Sequence, residues 1–136
     1  MTSAQLHPIG FVRSRLTDRG VAPRQGDEGA PDARIEFEPA VLDAVDGIQP
    51  GHELFVITWL HEARRDILKV HPRDDPSTPL TGVFATRSSD RPNPLGLHRV
   101  TVLEVGPCEL HVVPLEAIDG TPVVDLKPIL AGSSDR

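Results

Sequence analysis

Apolar and polar positions nearly alternate over Pro8-Ile9-Gly10-Phe11-Val12-Arg13-Ser14, the rhythm of a half-buried strand. Ile35-Glu36-Phe37 repeats it briefly. Between the two, residues 17–33 carry Asp, Gly, Pro, Arg and Gln and almost nothing apolar, which predicts a long loop. A loop of that length in a compact domain is usually mobile or functional. Pro39-Ala40-Val41-Leu42-Asp43-Ala44-Val45 predicts a short helix: Pro suits a first turn, Val41, Leu42 and Val45 share a face, and Gly47 is placed to end it. Glu53 to Leu60 is apolar on both faces through its middle and predicts a central, buried strand.

After it the pattern breaks. His61 to Pro79 turns to charge and proline, a second long loop. Gly82 to Thr86 reads as a strand, and Arg87 to Gly96, with two prolines, as a rigid turn. Arg99 to Val105 alternates well. Gly106-Pro107-Cys108 turns the chain, and Leu110 to Leu115 returns as its hairpin partner. Asp119-Gly120-Thr121-Pro122 makes another turn before a last strand, Val123 to Leu126. Residues 131–136 are expected to be a disordered tail. About seven short strands and one short helix predict a mainly β, antiparallel barrel or sandwich, a single domain over residues 1–130.

Composition agrees. With 136 residues the chain is one domain's worth of protein, and 4% aromatics leave Val, Ile and Leu to fill its core. Fourteen prolines and 11 glycines exclude a coiled coil or plain helical bundle. No apolar run reaches membrane-spanning length, and Met1 to Gln5 lacks the basic and apolar parts of a signal peptide. The single cysteine, Cys108, cannot form an internal disulfide, so a reducing, cytoplasmic compartment is expected. The net charge of −6 argues against a general nucleic-acid binder but leaves room for a local basic patch. The cations are almost all arginine; Lys69 and Lys127 are the two lysines.

Several chemistries are missing from the sequence. It has no Gly-rich dinucleotide turn and no phosphate-binding P-loop. His61-Glu62 opens like a zinc-protease helix, but Arg65 stands where the second histidine belongs. The six histidines have no ligand spacing, so no metal is expected. No elbow motif surrounds Ser88 and Ser89.

Four loops are too polar and too rigid to be mere spacers: Val21-Ala22-Pro23-Arg24-Gln25, Trp59-Leu60-His61-Glu62, Phe84 to Gly96, and Asp119 to Pro128. Taken singly, Pro-Asn-Pro and Asp-Gly-Thr-Pro are ordinary turn makers. Taken together, Gly82-Val83-Phe84-Ala85-Thr86-Arg87-Ser88 with Arg91-Pro92-Asn93-Pro94-Leu95-Gly96, and Asp119-Gly120-Thr121-Pro122-Val123-Val124-Asp125-Leu126-Lys127-Pro128, resemble the signature of the TsaA-like (YaeB-type) methyltransferases. Pro8-Ile9-Gly10 and Pro23-Arg24-Gln25 match as well, so the resemblance spans roughly residues 6 to 130.

The resemblance implies a small antiparallel β-barrel that binds S-adenosylmethionine, usually as a homodimer. It implies methylation of N6 of threonylcarbamoyl-adenosine in tRNA. Carried over by motif, the cofactor contacts fall on Pro23, Arg24, Gln25, His61, Glu62, Arg87, Leu95, Asp119, Gly120, Thr121 and Pro122. Arg87 or Arg24 suits the cofactor's carboxylate, Glu62 and Asp119 its sulfonium, and Leu95 with the Asp119–Pro122 turn its adenine. Asp119 and His61 are both candidates for a catalytic base. Clustering alone nominates Arg64, Arg65, Lys69, Arg91 and Arg99 for RNA contact. Asp90 would repel phosphate there, and some tRNA-modifying relatives carry a further C-terminal domain, so a small-metabolite acceptor is the alternative. A non-catalytic cofactor-binding module is a third reading.

Overall fold

The computed structural model describes residues 2–16 and 31–130. Among these residues eight strands form, in chain order: β1 (Gly10–Arg13), β2 (Ala33–Phe37), β3 (Glu53–Trp59), β4 (Lys69–Val70), β5 (Thr81–Gly82), β6 (Leu95–Val105), β7 (Glu109–Val113) and β8 (Pro122–Pro128). Six of them close into an antiparallel barrel in the order β1-β2-β7-β6-β3-β8, while β4 and β5 pair apart as a two-stranded flap. Closure joins the two ends of the chain: Gly10 pairs with Val123, and the Val12 amide donates to the Thr121 carbonyl at 2.9 Å. A closed barrel leaves no unpaired edge.

Alternate residues of each strand point inward. Val12, Ile35, Val56, Val100, Val102, Leu110, Val112, Leu115 and Val123 are buried almost completely, so branched aliphatics fill the barrel as the scarcity of aromatics required. At Gly10 the strands come so close that a Cβ would collide with the Glu36 carbonyl oxygen and lie 3.1 Å from the Phe37 Cα. The predicted helix is a 3-10 helix over Pro39–Val45, and Gly47 follows it with φ +99°, a conformation glycine adopts freely. Its Val41, Leu42 and Val45 pack against the core cluster.

Four elements differ from their sequence expectation. β3 is central, paired with β6 and β8, but only Leu54, Val56 and Thr58 are buried; Phe55, Ile57 and Trp59 lie half-buried on the outer wall. The strand expected over residues 82–86 survives only as Thr81–Gly82, and Val83–Ala85 coil into a 3-10 turn. The turn expected up to Gly96 ends earlier, because β6 begins at Leu95 and pairs Leu95 with Trp59. The loop over residues 61–79 carries β4 and a short 3-10 turn, Pro72–Asp74. Of the loop expected over residues 17–33, residues 17–30 lie outside the described residues and Ala33 already opens β2; the tail expected over residues 131–136 lies outside them too. No helix among the described residues is long and apolar enough to cross a membrane.

Candidate functional site

In an antiparallel barrel, neighbouring strands meet end to start. β1, β3 and β7 therefore finish at the same mouth where β2, β6 and β8 begin. Of the four motif loops, residues 21–25 lie outside the described residues; Leu60–Glu62, the segment leading to Leu95 and the Asp119–Pro122 turn all lie at or just beyond that mouth. Their convergence is a product of barrel closure rather than of any local pattern.

The longest motif is held by its own arginine. Arg91 Nη1 donates to the carbonyls of Thr86 (3.2 Å) and Ser88 (2.9 Å), and Nη2 to that of Val83 (2.9 Å). One guanidinium thus binds three carbonyls that a continued strand would have used in a ladder, which is why the 82–86 strand becomes a turn. The motif is also stitched to the second loop. The Arg91 amide donates to the Arg64 carbonyl at 3.0 Å, the Arg64 amide to Asp90 Oδ1 at 2.8 Å, and the Leu60 amide to the Pro94 carbonyl at 2.8 Å. Arg65 donates to the Pro92 carbonyl at 2.8 Å and lies 5.2 Å from the Trp59 ring centre, in cation–π range.

The last loop is equally fixed. The Gly120 amide donates to the Val12 carbonyl (2.7 Å), Thr121 Oγ1 to the Ile118 carbonyl (2.6 Å), and Asp119 Oδ1 accepts the Ser14 amide (3.1 Å). Gly120 has φ +86°, so the Asp-Gly turn needs glycine there. Beneath the mouth, Thr58 Oγ1 and His98 Nε2 share a hydrogen bond of 2.9 Å. Gly96 makes room for it, since a Cβ there would run into both partners. Burial of the imidazole pushes the His98 pKa down from 6.5 to about 4, so the ring is neutral at physiological pH.

Two hollows open at this mouth and meet at Ser89. The larger, about 790 Å³, lies between the β4–β5 flap and the Arg91-held loop and is bordered by Arg73, Phe84, Arg87 and Asp90. The smaller, about 210 Å³, is bordered by His61, Glu62, Glu116, Ile118 and Thr121. Together they match the size of a nucleoside-bearing ligand. Arg87 makes no ion pair with a described residue and stands free to take an anion. His61 Nε2 and Glu62 Oε2 lie 3.7 Å apart.

The structure brings together His61, Glu62 and Thr121 at the smaller hollow, with Asp119, Gly120 and Pro122 in the adjoining turn and Arg87 at the larger one. Leu95 borders neither: it stands 43% exposed on the outer wall opposite Trp59. Pro23, Arg24 and Gln25 lie outside the described residues. Of the candidate RNA contacts, Arg91 and Arg65 are engaged as above, Arg64 holds Asp66 at 2.8 Å, and Arg99 holds Glu53 at 2.7 Å. Lys69 is exposed on the flap. No group of three His, Cys, Asp or Glu among the described residues could hold a metal ion. Sequence reasoning missed Glu116. Its one signal is a charge set between Leu115 and Ala117, both apolar.

The chain is a closed antiparallel barrel whose loops build a ligand-sized site at one mouth. The family model for the tRNA-methyltransferase O N-terminal domain matches residues 11–135, and the chain belongs to that family. An S-adenosyl-L-methionine-binding protein of Archaeoglobus fulgidus is 40% identical over 122 residues, covering 90% of this chain and 86% of the relative. A protein of Methanothermobacter thermautotrophicus named "Probable S-adenosyl-L-methionine-binding protein" is 44% identical over 124 residues, covering 91% and 88%. Among solved structures, TrmO from P. aeruginosa matches with a TM-score of 0.76 at 27% identity, covering 98% of this chain. This chain spans 58% of that TrmO chain. The fold is thus that of the S-adenosylmethionine-dependent methyltransferases of this family.

Proposed function

We propose that this protein binds S-adenosylmethionine across the two hollows and transfers its methyl group to N6 of threonylcarbamoyl-adenosine in tRNA. The family match over residues 11–135 carries this reading. The residues fit the cofactor. An uncommitted guanidinium, Arg87, suits its carboxylate, and a hollow bordered by Glu62 and Glu116, with no lysine or arginine among the described residues that line it, suits its positive centre. Pro23, Arg24 and Gln25 complete the cofactor contacts by motif, whereas Leu95, on the outer wall, borders neither hollow. When bound, the cofactor supplies an already activated methyl group, so the protein's task is alignment and exclusion of water.

The chain's own groups divide that task. Arg87 anchors one end of the ligand. The Asp119–Pro122 turn, locked onto β1, offers rigid backbone polar groups at the other. His61, beside Glu62, is the better proton acceptor of the two candidates, because Asp119 already accepts the Ser14 amide. Two copies pair in this reading, through the outer wall where Leu95 and Leu97 are exposed beside Ile57 and Trp59. Arg64, Arg65, Lys69, Arg91 and Arg99 remain the nominees for RNA contact.

A second reading, a small-metabolite acceptor, is favoured by one observation: four of those five cations already donate within the chain. One assay separates the two. The protein is incubated with methyl-labelled S-adenosylmethionine and either tRNA carrying threonylcarbamoyl-adenosine or a small-molecule extract. Label in the tRNA base, falling steeply as salt rises, supports the first reading. Label only in small molecules supports the second. Cofactor binding without transfer to either overturns both.

A further inference from the structure

Among the described residues, Glu116 alone leaves a buried side-chain polar atom without a hydrogen bond: its Oε1 is shut from solvent and meets no donor. Native proteins satisfy almost all such atoms, and an exception points to a ligand or a functional cost. The backbone that carries it is pinned on both sides. Leu115 and Ala117 on either side are core residues, 0% and 3% exposed. The Leu115 amide is tied to the Pro31 carbonyl at 3.0 Å, and the Ala117 carbonyl to Ser14 Oγ at 2.7 Å. The backbone therefore holds Glu116 at the border of the smaller hollow, which His61 and Glu62 also line. Among the described residues, no lysine or arginine borders that space. Desolvation also raises the Glu116 pKa above the ordinary carboxylate range.

We infer that Glu116 is the counter-charge for a cationic centre of the ligand held in the smaller hollow. The inference rests on the cofactor reading above and deepens it: the cationic centre is the sulfonium, and Glu116 sets specificity for the charged donor over its neutral thioether product. A half-buried carboxylate with one oxygen shut from solvent gains more from a cation that arrives with the ligand than an exposed one would, because less water screens the pair. The product lacks that charge, so the same carboxylate gives it no such hold and favours its exchange for fresh donor.

The test is calorimetric titration of the intact protein at pH 7.5 with S-adenosylmethionine and, separately, S-adenosylhomocysteine. Wild type and Glu116→Gln are compared. The expected result is a wild-type preference for the charged ligand that falls at least about tenfold in the variant, with homocysteine-form affinity unchanged within about twofold, as loss of one charge pair requires. Glu116→Asp keeps the charge one methylene further back and is expected to keep part of the preference, which preserves the test should the glutamine variant fold poorly. Equal weakening of both ligands, or an unchanged ratio in either folded variant, overturns the inference alone. A wild type that binds neither ligand overturns the cofactor reading and the inference together.

Discussion

Arg91 offers a sharp division between two roles for a motif arginine. If it serves the fold, its removal takes a charged donor from the carbonyls of Val83, Thr86 and Ser88, which it now reaches at 2.9–3.2 Å, and leaves Val83 with only its bonds from Thr86. Hydrogen bonds from charged groups are worth about 1.5–3 kcal/mol each, and half-burial returns part of that to water, so Arg91→Ala should cost about 3 kcal/mol in all. For a domain of 136 residues, each kcal/mol moves the melting temperature by about 3–4 °C, which predicts a fall of about 10 °C. Arg91→Lys, able to reach one carbonyl, should recover about a third of this loss. Arg64→Ala is the control: its ion pair with Asp66 has both side chains more than 60% exposed, and such pairs are worth at most about 1 kcal/mol. Thermal unfolding followed by circular dichroism reads all three. An Arg91→Ala protein that melts within about 2 °C of wild type, yet loses salt-sensitive tRNA affinity, would refute the structural role and restore Arg91 to the RNA surface.

Two further predictions follow from the barrel interior. Gly10→Ala should destabilise by at least about 3 kcal/mol in urea unfolding, because the added Cβ meets backbone of β2 that cannot yield. A loss under about 1 kcal/mol would mean the β1–β2 contact is looser than described. His98 should titrate near pH 4 by NMR rather than near 6.5. Its folded pKa lies below the unfolded one, so its contribution to stability is full above pH 6.5 and is lost as pH falls from there toward 4. His98→Asn should flatten that stretch of the stability profile, and an unchanged slope would argue against a neutral, enclosed ring.

Much of the barrel was legible because it is written in local rhythm. The alternation at residues 99–105 and 110–115 gives a hairpin, and Pro39 to Val45 gives a helix with its glycine stop. The Val83–Ala85 turn was not legible. Its cause is Arg91, six to eight residues on, whose guanidinium removes carbonyls from a sheet that propensity alone favours. The early start of β6 was hidden for a related reason: Pro94 reads as a stop, but Leu95 and Gly96 find partners in Trp59 and Thr58, which are distant in sequence. The motif loops were visible as chemistry, and the resemblance united them. Their shared mouth needed the closure of β1 on β8. Glu116 was overlooked because nothing local marks a carboxylate as unpartnered; only the packed core on both sides of it does.

The central claim is that this barrel mouth holds S-adenosylmethionine with Arg87 as an anchor. Calorimetric titration of the purified protein with the cofactor, repeated on Arg87→Ala, tests it most directly. Saturable binding by the wild type, weakened at least about tenfold in the variant, is the predicted result. No heat of binding by the wild type up to about millimolar cofactor, or equal affinity in the variant, would contradict it.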